Sequence, residues 1–324
     1  MRAMVLAAGY GTRLGTLSDE RPKVLLPMVD TALIRYGLAL LANAGIRDVV
    51  VNLHHKAELI TTELGDGSSA GVRVHYSREP VILGTGGGIK KAAPLLGNET
   101  FVVVNGKVVI ELDLRRVLEA HKKSGAVATM VVRRDPDATR WGAIDVDDGG
   151  RVRGILGTGG FMFTGIHVLE PEMIRRIPDG EQCVIRTAYL DALKQGAPLY
   201  AFVADGYFAE HSTPERYLRG NIALLRGVGT PEVPWPLRGV DPSAKIAPGA
   251  VLHEPVRIGP RAIIEEGATV GPDVVVGHDA VVARGARLQA CVVWDGARAE
   301  GDLARTIVTH RGIHTVVGGN EPGW

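Results

Sequence analysis

The sequence predicts two architectures in one chain: an α/β domain on a mostly parallel sheet over residues 1–226, and a short parallel β-helix of hexapeptide repeats over residues 240–324. Three observations carry this reading. Short Val-rich runs alternate with stretches of helical period up to about residue 226, one proline cluster interrupts the chain after Gly227, and beyond it an aliphatic residue recurs at every sixth position.

The runs at 2–8, 48–53, 72–76, 101–104 and 126–132 read as strands, because they are rich in Val and bounded by Gly or polar positions. Between them, residues 32–43, 56–64, 88–95 and 114–123 place apolar side chains at i, i+3 and i+4, the period of a helix with one buried face. Strand and helix in alternation build βαβ units, and so a parallel sheet covered on both faces. Residues 227–239 hold Pro231, Pro234 and Pro236 and read as a stiff linker. After it the aliphatic positions are Val240, Ile246, Leu252, Ile258, Ile264, Val270, Val276, Val282 and Leu288, with Ala244, Ala250, Ala262, Ala268, Ala280 and Ala286 at the corners. Each hexad forms one flat face of a triangular coil, its aliphatic residue filling the interior and its small residue fitting the bend. Three hexads close one turn, so the spacing predicts about three coils and a looser end from Trp294 to Trp324.

Composition narrows the function. With 37 Lys and Arg against 36 Asp and Glu, the chain lacks the basic excess of a nucleic-acid sheath, so any anion is bound locally. No window reaches the roughly 18–20 apolar residues of a membrane helix, and the first residues turn Gly-rich too early for a signal peptide. The expectation is a cytoplasmic protein without a membrane partner. Cys183 and Cys291 are too few and too far apart for a disulfide framework or a thiolate metal site.

The chemistry concentrates after the first strand. Leu6, Ala7, Ala8, Gly9, Gly11 and Thr12 lead into Arg13, and Lys23 follows between Pro22 and Pro27. Small residues at a strand end let backbone N–H groups approach phosphates, and Arg13 and Lys23 bring fixed positive charge to the same segment. That combination suits a nucleoside triphosphate. Gly9, Gly11 and Gly15 miss the G-x-G-x-x-G spacing of a dinucleotide loop, and no Walker A motif occurs.

The segment Leu6 to Leu14 with Pro22-Lys23-Val24-Leu25-Leu26-Pro27 resembles the signature of the sugar-1-phosphate nucleotidyltransferases. Further matches run along the domain: Leu83-Gly84-Thr85-Gly86-Gly87-Gly88, Val104-Asn105-Gly106, Trp141-Gly142, Thr164-Gly165-Ile166 and Ser212-Thr213-Pro214-Glu215-Arg216-Tyr217. The chain is most similar to the mannose-1-phosphate guanylyltransferase-like and N-acetylmuramate-1-phosphate uridylyltransferase-like groups, and its hexads resemble the left-handed β-helix that many relatives append. The resemblance implies a Rossmann-like nucleotidyltransferase domain that binds an NTP and a sugar 1-phosphate, transfers the NMP and releases pyrophosphate. The unbroken run of nine hexads, with exposed coil edges at its end, predicts that the coil assembles subunits into a homo-oligomer and performs no chemistry. For the nucleotidyltransferase domain the resemblance goes further, to single residues. It places Arg13 on the β- and γ-phosphates and Lys23 at the α-phosphate. Leu6, Ala7, Ala8, Gly9, Gly11, Thr12, Gly84 and Thr85 fall to the nucleotide, and Asn105, Gly142 and Thr164 to the sugar.

The metal position departs from the family. Relatives carry Asn-Gly-Asp where this chain has Asn105-Gly106-Lys107, so a cation stands where a principal Mg²⁺ ligand is expected. The second ligand position is filled by Glu210, one methylene longer than the usual Asp, and the usual sugar-phosphate Glu-Lys pair is missing from residues 153–158. Three readings stay open: Lys107 inactivates the chain, its ammonium replaces the metal charge, or the loop shifts so that Glu111 or Asp113 binds metal. An active transferase therefore stands beside an impaired homologue that binds nucleotide or NDP-sugar as a regulatory subunit. Other polar features read as structural: Asp113 as a helix N-cap, His54-His55 as a helix-start pair, His253 and His278 as solvated turns of the coil, and Arg133-Arg134 as a strand end. Lys90-Lys91, at a helix start, hints at an anion nearby.

Overall fold

The structure, a computed structural model, describes residues 1–316. Contacts group the chain into two compact units, residues 1–10 with 34–208, and residues 11–33 with the chain from 209 onward.

The first unit is built on a nine-stranded sheet. Its strands are β1 (Arg2–Leu6), β2 (Asp48–Leu53), β3 (Arg73–Arg78), β4 (Phe101–Asn105), β5 (Ala128–Arg134), β6 (Ala143–Val146), β7 (Val152–Gly157), β8 (Phe161–Leu169) and β9 (Leu199–Val203). The order along the main path is β7-β6-β8-β4-β1-β2-β3, with β5 against β8 and β9. The run β4-β1-β2-β3 is parallel. Its strands are apolar on both faces, as Val49, Val50, Val51, Val102, Val103 and Val104 are fully buried. Around the long strand β8 the pairing is antiparallel, so the sheet as a whole is mixed.

Four helices match the periodic stretches: α1 (Ile34–Asn43), α2 (Ala57–Leu64), α3 (Gly84–Leu96) and α4 (Leu114–Ser124). Asp113 caps α4 by accepting Arg115 N–H at 3.1 Å. Helix α3 differs from the expectation, since it begins four residues before Gly88 and takes in the glycine run. Lys90 is therefore in the second turn of α3 and not at its start. Its ammonium donates to the Ile177 carbonyl at 2.8 Å and pairs with Asp179 at 2.6 Å, which accounts for the charge without an anion. The glycines of α3 answer to packing: Gly86 N–H donates to the Gln182 carbonyl at 2.7 Å, and the 180–184 backbone lies where side chains would project.

The second unit combines the short elements of residues 11–33, helix α5 (Pro214–Leu225) and the coil. Coil strands stack in three parallel sheets in which Val240, Ile258, Val276, Val293 and Val308 lie in register, as do Ile246, Ile264, Val282 and Ala299, and Leu252, Val270, Leu288 and Leu303. The hexad reading holds at positions 258–288, where every interior aliphatic residue is essentially buried. It needs two corrections. Val240 and Ile246 are 42% and 38% exposed, because no coil covers the first turn. The coil also continues beyond Leu288 through a further turn, with strands at Val292–Val293, Arg298–Ala299, Asp302–Ala304 and Thr306–Thr309, before an antiparallel strand at Gly312–Thr315. The period was lost there because the steps shorten: register partners 240, 258 and 276 are 18 apart, and 276, 293 and 308 are 17 and 15 apart. The rest of the expected loose end, residues 317–324, lies outside the described residues.

Candidate active site

In the first unit the parallel strand order sets the place. The chain runs from β1 outward to β2 and β3, then returns to the other side of β1 as β4. The order reverses between β1 and β4, and in open α/β sheets ligands bind outside the carboxyl ends of strands at such a switch point. Leu6, Ala7, Ala8 and Gly9 leave β1 there, and Asn105, Gly106 and Lys107 leave β4 beside them. Leu6 and Asn105 are register partners, and Gly106 N–H donates to the Leu6 carbonyl at 3.1 Å.

The 6–9 loop is held from below by two buried polar residues that sequence reasoning missed. Ala7 N–H donates to Asn52 Oδ1 at 2.7 Å, and Asn52 Nδ2 donates to Glu79 Oε1 at 2.7 Å. Glu79 Oε2 accepts Leu83 N–H at 3.1 Å, immediately before Gly84 and Thr85. Asn52 and Glu79 are 2% and 4% exposed, so one carboxylate joins the strand-end loop to the start of α3 through satisfied hydrogen bonds. Gly88 makes room for them, since a Cβ there would lie 2.8 Å from Glu79 Oε1 and 2.9 Å from Asn52 Nδ2. The available signal was Asn52, a polar residue at the end of a Val run. His54 belongs to the same support: Nδ1 lies 2.8 Å from the Glu79 carbonyl and Nε2 lies 2.8 Å from the Tyr10 hydroxyl.

The remaining expected residues of this unit fall into two groups. Thr85 Oγ1 accepts Val184 N–H at 3.0 Å, and Gly84 lies against the Gln182 backbone. Asn105 packs against Gly165, while the buried Thr164 hydroxyl donates to the Val131 carbonyl at 2.8 Å. Gly142 packs against Leu156, apart from those contacts.

In the second unit, Gly11 turns the chain with φ 73°, a left-handed conformation that favours glycine, into the one-turn helix Thr12–Leu14. Arg13 extends from it, half-exposed, with Nη2 3.6 Å from Glu210 Oε1. Glu210 Oε2 accepts Arg216 Nη1 at 3.0 Å, and Lys23 Nζ donates to Ser212 Oγ at 3.4 Å. Both signature cations thus meet the 210–212 segment. That segment ends in Thr213, whose hydroxyl accepts Arg216 N–H at 3.2 Å and caps α5, with Pro214 at the first helical position. From α5, the Tyr217 hydroxyl donates to the Pro27 carbonyl at 2.6 Å and Asn221 Oδ1 accepts Val29 N–H at 2.7 Å.

A buried ionic cluster lies in the same unit. Arg257 Nη2 donates to Asp30 Oδ2 at 3.3 Å, and His278 Nε2 lies 3.0 Å from Asp30 Oδ1. Burial pushes the Asp30 carboxyl above the usual carboxylate range, and the bond to Asp30 raises His278. His278 lies at a turn of the coil with its side chain 42% exposed, as the sequence suggested, and its Asp30 partner comes from a segment remote in sequence.

The fit to Mg²⁺ can be tested on the donors. Lys107 offers no oxygen ligand, and the Glu210 carboxylate is engaged by Arg216 and Arg13. Among the described residues, no group of three His, Cys, Asp or Glu side chains is placed to hold a metal ion. The residues at the two expected ligand positions do not fit Mg²⁺.

Comparison with known proteins gives the family. The family described as nucleotidyl transferase matches residues 2–226. A mannose-1-phosphate guanylyltransferase of Mycobacterium tuberculosis is 32% identical over 308 residues, covering 92% of this chain and 81% of that protein. An N-acetylmuramate alpha-1-phosphate uridylyltransferase of Neisseria meningitidis is 36% identical over 184 residues, or 56% of this chain and 80% of that protein. Among solved structures, HddC from Yersinia pseudotuberculosis is similar at TM-score 0.58 and 26% identity, over 68% of this chain and 97% of that one. A glucose-1-phosphate thymidylyltransferase from Bacillus anthracis shares the fold at TM-score 0.63 and 21% identity, over 72% of this chain and 98% of that one. Among the described residues no helix is long and apolar enough to cross a membrane. The chain belongs to the nucleotidyl transferase family, within its sugar-1-phosphate nucleotidyltransferases.

Proposed function

We propose that this protein transfers a nucleoside monophosphate from an NTP to a sugar 1-phosphate. The observation that carries the reading is the pair of loops leaving β1 and β4 side by side at the switch point. A phosphate oxygen of the sugar 1-phosphate attacks the α-phosphorus in line. The bond from that phosphorus to the bridging oxygen of the β-phosphate breaks, and the electron pair leaves on pyrophosphate. Such a step needs positioning and positive charge more than proton transfer.

In this reading Arg13 binds the β- and γ-phosphates and Lys23 the α-phosphate. Leu6, Ala7, Ala8, Gly9, Gly11 and Thr12, with Gly84 and Thr85, hold base and ribose through backbone and shape. Asn105, Gly142 and Thr164 border the sugar. Mg²⁺ is the family's expected cofactor, but Lys107 and Glu210 do not supply its ligands, so no step is drawn through it. Lys107 instead adds a fixed positive charge at the end of β4. Residues 1–226 carry the reaction, 227–239 connect, and 240–324 carry no chemistry of their own. A cytoplasmic location and self-association complete the proposal. The open first coil motivates the latter, and a solution mass of one chain contradicts it.

The test is pyrophosphate release over a panel of NTPs and sugar 1-phosphates, with and without chelator. The relative aligned with 92% of this chain makes GTP and mannose 1-phosphate the first pair to try. Release that requires both substrates and survives chelator supports the proposal. Absence of release with every pair contradicts it.

A further inference from the structure

The segment that carries Lys23 cannot hold its own shape. Between Gly11 and Leu33 it contains two one-turn helices, a four-residue helix at Leu17–Glu20 and a pair of two-residue strands, all far below the roughly 12–15 residues at which an isolated helix becomes even marginal. Its geometry must come from what it touches. Arg21, two residues before Lys23, donates to Asp295 Oδ2 at 2.9 Å, and its guanidinium lies 5.2 Å from the centroid of the Trp294 ring. Pro27, four residues after Lys23, accepts the Tyr217 hydroxyl, which in turn accepts Trp294 Nε1–H at 3.1 Å. One fully buried tryptophan of the coil therefore fixes both ends of the Lys23 segment. A second anchor follows at Asp30, gripped by Arg257 and His278 from two other turns of the coil.

We propose that the coil takes part in the reaction as the seat of the Lys23 segment, with Trp294 and Asp295 as positioning residues that act through Arg21 and Tyr217. Lys23 must meet a phosphate within hydrogen-bond tolerance, and misplacing such a group by about 1 Å can cost on the order of 100-fold in rate. The inference rests on the transfer reaction proposed above for its kinetic arm alone. Truncating the chain after Gly227 would remove Asp295, Trp294, Arg257 and His278 together.

The test compares the full-length protein with Asp295→Ala, Asp295→Asn and Trp294→Phe, the last keeping a ring beneath Arg21 while deleting the Nε1 donor. Asp295 is one-third exposed, so its variants are expected to fold. Three quantities are read: amide hydrogen exchange over residues 21–28, kcat against KM for each substrate, and the urea midpoint. Asp295→Ala should speed exchange in that segment at least tenfold and lower kcat about tenfold, with the KM for sugar phosphate and the urea midpoint little changed. Asp295→Asn, which keeps an acceptor for Arg21, should recover kcat to within threefold of the parent. Unchanged exchange with kcat within twofold in both Asp295→Ala and Trp294→Phe overturns the proposal. So does a fall in the urea midpoint that alone accounts for lost activity. If the parent transfers no nucleotide, the reaction proposed above fails, and the exchange measurement still decides whether the coil holds the segment.

Discussion

Each of the two units contains a polar cluster that braces a loop, and the two clusters are built from different chemistry. In the α/β unit, Glu79 is satisfied by neutral donors, the Asn52 amide and the Leu83 backbone, within a span of 27 residues. In the other unit, Asp30 is met by charges, Arg257 and His278, that lie 227 and 248 residues away. The first is a brace within one unit, from the end of β1 through β2 to the start of α3. The second closes the chain on itself. The contrast teaches that neither loop is self-supporting: residues 6–9 depend on the neighbouring strand of their own unit, and the 11–33 segment depends on the coil. Variants that separate the two dependencies sharpen the comparison.

The largest effect is expected at the cation whose placement the coil serves. Lys23→Ala should lower kcat by 100-fold or more while leaving the urea midpoint within error, since its bond to Ser212 is long and weak. A loss of less than tenfold would assign Lys23 to structure. Arg13→Ala comes next. Charge-assisted bonds contribute roughly 1.5–3 kcal/mol each, so NTP affinity measured by calorimetry should fall at least tenfold, while a nucleoside without phosphates binds as before. Equal loss for both ligands would show that Arg13 holds the fold through Glu210.

Much of this was legible beforehand and some was not. The strands of the parallel run, the cap at Asp113 and the hexads through Leu288 follow from local pattern, because one buried face imposes one period. The extra coil escaped because shortened corners break that period without changing which side chain points inward. The expected helix starts only at Gly88, since glycine is a poor helix former, but close packing of the 180–184 backbone carries the helix back to Gly84. The anchors at Asp30, Arg257, His278 and Trp294 left no local trace. A long-range ion pair has no period, and each residue alone reads as a surface charge or a coil filler.

The Glu79 brace can be broken with little change of volume. Glu79→Gln turns one acceptor into a donor facing either the Asn52 amide or Leu83 N–H, and should cost about 1–3 kcal/mol in urea unfolding while raising the KM for NTP. Asp30→Asn, which removes the shorter of the two ion pairs of Arg257 and leaves the longer one to Asp241 at 3.9 Å, should be destabilising by a similar amount, with exchange increased over residues 27–32 and not over 6–9. Equal exchange at both places in both variants would erase the distinction between the clusters.

A separate, pH-dependent effect concerns a buried histidine outside both clusters. His167 donates or accepts one bond with the Tyr189 hydroxyl at 2.8 Å, and burial pushes its pKa down to about 3. The unfolded chain takes up that proton near pH 6.5 while the folded chain does not, so stability should fall as the pH drops from about 6.5 toward 3, at about 1.4 kcal/mol per unit from this residue. His167→Gln should flatten that part of the pH profile, and an unchanged slope would assign it to other groups.

In the proposed transfer the bond broken in the NTP lies between the α- and β-phosphates. This is tested most directly by following two labels in parallel, one in the α- and one in the γ-phosphate of the NTP that gives the fastest pyrophosphate release. The α-label should appear in an NDP-sugar and the γ-label in pyrophosphate, in equal amounts and only when the sugar 1-phosphate is present. A γ-label recovered as inorganic phosphate, or an α-label released without the sugar, would contradict it.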